Sequence, residues 1–389
     1  MPARTSPARP GTPAGAEGPA HAATRDAVVE ALRVRAREPS PDVRGAVASV
    51  LGEVGGPAAR AEIERLLSDP SDRVRRAAVL ALDRAVGGRR QEVARIRRSL
   101  GDPAPRVRAA AAVVLGRRRD RSSVPALLAR LRAPGTWEKP SVAVALGRIG
   151  DHRAVPALVA LAARPERWLR VCALHALGEI GAREGRATVR AGLDDPAWSV
   201  RGAAATALGS LGTGADVPRL VGLLDDPHPW PRRGALYALG RLGRAEVAGR
   251  IRAALADPTP DVRVAACWAL GEVGDRASRG AIAELLVRSP LPGALAVASA
   301  PLAGDALPPT GAEALQFETA VAALARLGPC RAGSRAGRAL AEAERRIGPD
   351  ALARATRPAF GDRGGGRPPP TLRELFASAR APAGREGPR

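Results

Sequence analysis

The stretch Asp257-Pro258-Thr259-Pro260-Asp261-Val262-Arg263-Val264-Ala265-Ala266-Cys267-Trp268-Ala269-Leu270-Gly271-Glu272-Val273-Gly274 decides the fold. Thirty-one residues earlier the same order recurs as Asp226-Pro227, Arg232 and Ala238-Leu239-Gly240-Arg241-Leu242-Gly243. A further 31 residues earlier it recurs as Asp195-Pro196, Val200-Arg201 and Ala207-Leu208-Gly209-Ser210-Leu211-Gly212. Self-similarity at a fixed period is the mark of a repeat architecture and outranks any other reading of the chain.

Outward from that stretch, the residue following the conserved-register leucine is Gly52, Asp83, Gly116, Gly147, Gly178, Gly209, Gly240 and Gly271. The spacing is 31 throughout, apart from one step of 33 between Asp83 and Gly116. Eight residues before each stands a basic residue: Arg44, Arg75, Arg108, Lys139, Arg170, Arg201, Arg232 and Arg263. Five residues before that stands a proline: Pro39, Pro70, Pro103, Pro134, Pro165, Pro196, Pro227 and Pro258. Proline pushes the residue before it out of the α region, so each Asp-Pro pair ends one helix and opens a turn. The following helix carries apolar residues at three- and four-residue spacing, as in Leu169, Cys172, Ala173, Ala176, Leu177 and Ile180. Its second glycine, such as Gly181, suits a left-handed cap. A second helix follows, with a proline such as Pro156 in its first turn, where a missing amide is tolerated.

This pattern resembles the HEAT-repeat family, and within it the bacterial HEAT-like branch first associated with phycobilisome lyases. The matching residues are the acid–base pairs Asp69/Arg75, Asp102/Arg108, Asp195/Arg201, Asp226/Arg232 and Asp257/Arg263, with Glu38/Arg44 as a variant, and the prolines Pro125, Pro156 and Pro218. The resemblance spans residues 22–288. It implies an all-α, right-handed α-solenoid of about eight to nine two-helix repeats. Its functional implication is broad, because the branch includes chromophore lyases, scaffolds and nucleic-acid binders.

Outside the repeats, residues 1–20 read as a disordered tail rich in Pro, Ala and Gly. Residues 289–312 break the register and read as an inserted Pro/Ala/Gly-rich loop. Residues 313–357 read as an interrupted terminal repeat with cap helices, because Ala323-Leu324-Ala325-Arg326-Leu327-Gly328 resembles Ala145-Leu146-Gly147-Arg148-Ile149-Gly150. Residues 358–389 read as a mostly disordered tail.

The 389 residues carry a formal net charge of +22, which favours anionic partners: an acidic protein first, and nucleic acid as the alternative. Lys139 is the only lysine, so part of that charge reflects an arginine-rich coding bias. The three cysteines, Cys172, Cys267 and Cys330, form no paired spacing and fit a reducing cytoplasm. No apolar run approaches the length of a membrane span. The histidines His21, His152, His175 and His228 form no metal spacing and no His-Glu pair, which argues against a metal site and against the di-iron hydroxylase branch. No cofactor is expected, since the glycines sit at cap spacing and form no phosphate-cradling loop.

The acid–base ladder is expected to be architecture, because one residue type at one place in successive layers glues those layers together. The acid can accept helix-start amides and pair with the basic residue of its own or the next layer. The informative positions are those the repeat leaves free. On the first helix of each repeat, four positions share a face: two before the basic residue, and one, five and nine after it. Among them are Trp137 and Arg148; Trp168 and His175; Trp230, Arg233, Tyr237 and Arg241; and Trp268. Arg73, Arg76 and Arg84, with Arg106 and Arg117, occupy the same positions in repeats two and three. Trp198 lies one residue off this register. In the family, helices at this position line the concave side, which implies an aromatic-and-arginine groove. Trp, Tyr and Arg dominate binding hot spots; equally, each Trp can pack in the turn between layers. Repeats four and five lose the turn acid, to Ala133 and Arg164, where Trp137 and Trp168 appear. Arg117-Arg118-Arg119 with Arg121 is the densest basic cluster and fits a solvated turn.

Three functions remain from the sequence: a non-enzymatic scaffold for a protein partner, a DNA or RNA binder, and a lyase-type subunit by resemblance. A DNA glycosylase activity has no catalytic acid that can be matched by residue. No catalytic residue is assigned.

Overall fold

The computed structural model describes residues 19–85, 90–135 and 137–288, and beyond them residues 320, 323, 324, 326, 327, 337–339, 341, 342 and 345. Of the tail read over 1–20, residues 1–18 lie outside the described residues, and Pro19 and Ala20 instead open the first helix; the loop over 289–312, most of 313–357 and the segment 358–389 also lie outside them. No strand occurs among the described residues. Two compact units divide between Ile149 and Gly150.

The first unit runs α1 (Pro19–Arg35), α2 (Pro41–Val54), α3 (Gly56–Leu66), α4 (Asp72–Arg84), α5 (Arg90–Arg98), α6 (Pro105–Arg117), α7 (Val124–Arg132) and α8 (Lys139–Ile149). The second runs α9 (Val155–Ala162), α10 (Arg167–Ile180), α11 (Arg186–Ala191), α12 (Trp198–Leu211), α13 (Val217–Gly222), α14 (Pro229–Leu242), α15 (Ala248–Ala253), α16 (Pro260–Val273) and α17 (Arg279–Arg288). The even-numbered helices are the first helices of successive layers and stack on one another: α2, α4, α6 and α8 in one unit, α10, α12, α14 and α16 in the other. Each odd-numbered helix from α3 to α15 packs against an even-numbered neighbour. Several are shorter than the sequence suggests, because a 3-10 turn replaces the first or last turn of the α-helix, as at Gly192–Asp194 and Leu223–Asp225.

Alanine and glycine make the seams thin. A Cβ placed on Gly52 would lie 2.9 Å from Ala81 Cα, one on Gly178 2.9 Å from Ala207 Cα, and one on Gly240 2.9 Å from Ala269 Cα. The buried leucines Leu51, Leu82, Leu115, Leu146, Leu177, Leu208, Leu239 and Leu270 run one per layer behind these seams. Gly181, Gly243 and Gly274 end their helices in the left-handed region, as the spacing predicts. Gly212 does not; its φ is −68° and its chain leaves in extended conformation.

The ladder crosses the seams within each unit. Arg44 donates to both oxygens of Asp69 at 2.8 and 2.9 Å, and Arg75 does the same to Asp102 at 2.8 Å. Arg170, Arg201 and Arg232 repeat it with Asp195, Asp226 and Asp257 at 2.7–3.0 Å. The third guanidinium nitrogen turns back to its own layer: in Arg201 it donates to the carbonyls of Asp195 and Pro196. Arg108 and Arg263 hold their own turns in the same way. The carboxylate thus pairs with the preceding layer's arginine, and its own layer's arginine takes the carbonyl. Each acid also accepts the amide two residues on, as Asp195 does from Ala197.

The fourth layer corrects one expectation. Ala133 does not leave the ladder without an acid: Glu138, almost fully buried, accepts from Arg108 at 3.0 Å and from Arg130 at 2.6 Å. A longer side chain five positions on reaches the same guanidinium.

The ladder carries a pH dependence. The hydrogen bond from Arg44 holds Asp69 below its ordinary value, against burial. For Asp226 burial alone would raise the value, and the Arg201 hydrogen bond, the His228 amide and the nearby positive charge outweigh it. Groups depressed in the folded state stabilise it fully above their unfolded values, near 3.8, and lose that contribution as pH falls through the folded values. Acid unfolding followed by circular dichroism should therefore begin only below about pH 4; a transition centred between pH 5 and 6 would contradict this account.

Candidate interaction face

In the first unit the free positions are arginine-rich. Arg73, Arg76, Arg84, Arg106, Arg117, Arg148 and Trp137 are all exposed. Half of the arginines already have a carboxylate: Arg73 pairs with Asp42 at 3.1 Å, Arg84 with Glu53 at 3.3 Å and Arg117 with Asp83 at 2.7 Å. Arg76, Arg106 and Arg148 have no acid within ion-pair distance among the described residues. Residues 19–149 hold 26 Arg and Lys against 14 Asp and Glu; residues 150–288 hold 19 against 15. The excess positive charge of the repeats therefore lies mainly in the first unit.

In the second unit the same positions are aromatic. Trp168 and Trp230 are exposed, and His175, Arg233, Tyr237 and Trp268 are half-buried. Arg241 is exposed, but its Nε donates to the Gly209 carbonyl at 3.0 Å. Burial lowers the His175 pKa, so the imidazole stays neutral near pH 7, and burial raises that of the Tyr237 phenol. Neither thiol is poised for chemistry: burial raises Cys172 and pushes Cys267 up to about 12.

The turn ahead of α14 explains how an exposed tryptophan is held in place. In Asp226-Pro227-His228-Pro229-Trp230-Pro231 every second residue is proline, so the backbone has few conformations to lose. Asp226 accepts the His228 amide at 2.9 Å, and His228 Nδ1 accepts the Trp230 amide at 3.2 Å. Trp230 then packs directly on α12 at Gly202, where an added Cβ would fall 1.9 Å from Trp230 Cδ1. α12 is cleared for it: its face positions are Ser199, Gly202, Thr206 and Ser210.

Around this seat a cluster assembles that the register did not anticipate. Trp198, one residue off the face, stacks on His228 with ring centroids 3.8 Å apart and planes 7° from parallel. It meets Trp230 edge-on at 6.3 Å. The Arg233 guanidinium lies 4.2 Å from the Trp230 ring centroid and 3.7 Å from Asp261. Further along, Tyr237 meets Trp268 edge-on at 5.2 Å. Such contacts are each worth about 1 kcal/mol, enough to order the rings while leaving their outer surfaces in water. Trp137 and Trp168 make no ring contact among the described residues. The sequence held one clue to Trp198 and His228: both lie within a residue of a helix start, where successive layers converge.

Gly202 is the residue on which this arrangement depends. Gly202→Ala should displace Trp230 and break its contact with Trp198. The expected result is a red-shifted tryptophan emission with little change in helicity; unchanged emission would contradict the seating.

No group of three or more metal-ligating side chains occurs among the described residues, and no helix there is long and apolar enough to cross a membrane. The arrangement offers rigid aromatic surface in one unit and arginine charge in the other.

The family profile for HEAT repeats matches residues 29–95, 92–171, 161–237 and 217–300. The chain belongs to the HEAT-repeat family. No curated protein matches the sequence. Among solved structures, the chain is similar to the Kap95:Nup1 complex, with 15% identity over 79% of this chain and 47% of that one, at a TM-score of 0.50. It is also similar to the CpcE–CpcF phycocyanin lyase complex of Nostoc sp., with 26% identity over 68% and 92% of the two chains and a TM-score of 0.34. Human deoxyhypusine hydroxylase shares 22% identity over 66% of this chain and 100% of its own, at a TM-score of 0.32. The chain spans about half the length of the Kap95 chain it matches.

Proposed function

We propose that this HEAT-repeat protein is a non-enzymatic scaffold that holds a protein partner on the aromatic strip of α12, α14 and α16. The observation that carries the proposal is the cluster of Trp198, His228 and Trp230. Large apolar rings are held rigidly at the surface, over a glycine that makes room for them, where a purely structural tryptophan would be sealed in. Rigid Trp and Arg side chains lose little entropy on binding and are typical anchors. The partner segment is apolar and acidic, since Arg233 lies over Trp230 and the protein as a whole is strongly basic. The test exchanges Trp198 and Trp230 for alanine together and compares the proteins captured from the native cell by quantitative mass spectrometry. Loss of a specific set by tenfold or more is expected; an unchanged set would refute the proposal.

A second reading rests on a different observation, the charge excess of the first unit with Arg76, Arg106 and Arg148 unpaired. It assigns nucleic-acid binding to that unit. Affinity for duplex and single-stranded DNA across a salt series decides it: a phosphate binder loses affinity linearly on a log–log plot. No binding at low salt removes this reading.

A further inference from the structure

Each layer meets the one before it through one stripe of its first helix: the residue before the basic position, and those two and six after it. A Cβ on Gly45 would sit 4.0 Å from Ala77 Cβ, the second of these positions in its layer, and Gly52 faces Ala81, the third. In the layers that follow the first, the first and third positions of this stripe are sealed: Val74, Ala81, Val107, Val114, Val200, Ala207, Val262 and Ala269 are buried.

The first layer is different. Its stripe is Val43, Ala46 and Val50 on α2, with Val43 38% and Val50 44% exposed, and Ala46 exposed as well. The neighbouring helix agrees. On α1, Val28 is 41% exposed and Leu32 half-buried, whereas their counterparts 31 residues on, Ala59 and Ile63, are fully buried on α3, against which the preceding first helix, α2, packs. These five positions border the place of one helix. The far end of the second unit is closed by comparison: Ala323 lies against Gly271, Arg326 pairs with Glu272, and Ala320, Leu324 and Leu327 are buried.

The ladder carries the same mark. Six residues before the basic position, later layers place an acid that takes both guanidinium nitrogens of the preceding layer. Here that acid is Glu38, and among the described residues its carboxylate receives only Arg35, from α1.

We infer that the outer face of α1 and α2 docks one amphipathic helix of a partner polypeptide, with small and branched apolar residues on one stripe and an arginine placed to reach Glu38. The molecule supplies its own template. The stripe of α6 is Val107, Ala110 and Val114, the same residue types as Val43, Ala46 and Val50, and the helix that covers it is α4, whose Arg75 pairs with Asp102. Charge favours a foreign helix over a second copy. A second copy would offer its own α2 stripe, which bears no cation, whereas the slot at Glu38 takes a guanidinium from the side of the incoming helix.

The test uses the full chain and a fluorescent, side-chain-stapled peptide with the sequence of residues 69–85, titrated by anisotropy. Saturable binding is expected, weakened at least tenfold by Val50→Asp in the protein. Glu38→Ala in the protein and Arg75→Ala in the peptide should each weaken it, and together no further than either alone. Val50 is exposed and Glu38 half-buried, and thermal melts followed by circular dichroism check that folding is intact. Absence of saturable binding, or binding indifferent to Val50→Asp, overturns the inference. So does a concentration-dependent dimer that Val50→Asp abolishes, which makes a second copy the occupant. Tighter peptide binding after deletion of residues 1–18 overturns it as well, since the chain's own leading segment would then fill the site.

Discussion

Gly116→Ala is expected to lower the stability of the first unit by about 2 kcal/mol, and Gly116→Val by about 3. The cause is the seam between α6 and α8. A Cβ at this position would lie 2.6 Å from Ala145 Cα and 2.9 Å from Ala145 Cβ. The obstacle is backbone, so no rotamer change relieves it, and the two helices must move apart. That movement would also stretch the Arg108–Glu138 pair across the same seam. Helix propensity works in the opposite direction, favouring Ala over Gly by about 1 kcal/mol, and is overruled only where the space is absent. Gly249 shows the contrast: it lies in α15 with nothing within 4 Å of its added Cβ. Gly249→Ala should stabilise the second unit by about 0.5 kcal/mol. Urea unfolding of each variant, with hydrogen exchange on α6 and α8, measures both. Gly116→Ala and Gly249→Ala changing stability in the same direction would disprove the close approach as the reason for the glycine.

Asp226→Ala should cost about 3 kcal/mol. Asp226 is buried and accepts two nitrogens of Arg201 at 2.7 and 3.0 Å; Arg201 itself is largely covered. Removing the carboxylate leaves a guanidinium without its partner in a place water reaches poorly, a far larger loss than that of an exposed ion pair. The same carboxylate accepts the His228 amide, so the turn that presents Trp230 should loosen as well. Partner capture should fall together with stability. The double change Asp226→Leu with Arg201→Met removes both charges and should recover more than half of the lost stability without restoring capture. Urea unfolding of the cycle provides the measurement. A single-variant loss below about 0.5 kcal/mol would mean that the ladder behaves like a surface pair and does not hold the layers.

Much of the architecture was legible because its causes are local. A proline excludes the residue before it from the helix, and a glycine follows where the chain must turn left-handed. An acid and an arginine six apart bracket six of the eight turns. These facts repeat with the chain and can be counted along it. The face positions were legible for the same reason: helical geometry alone places Trp230, Arg233, Tyr237 and Arg241 on one side of α14. What lies between layers was less so. Glu138 was invisible as a ladder acid because its side chain, and not its place in the register, makes the connection to Arg108. Trp198 was set aside as off-register, yet it belongs to the cluster because the next layer brings His228 to it.

The sequence by itself determined that this chain folds as repeated helix pairs, since that outcome follows from backbone chemistry acting over a few residues. Only the tertiary structure decided which arginines are neutralised, which rings share one patch and which face of α1 and α2 stays open. Each of these depends on side chains about 30 residues apart meeting across a seam whose spacing is set by the packing of alanine on glycine.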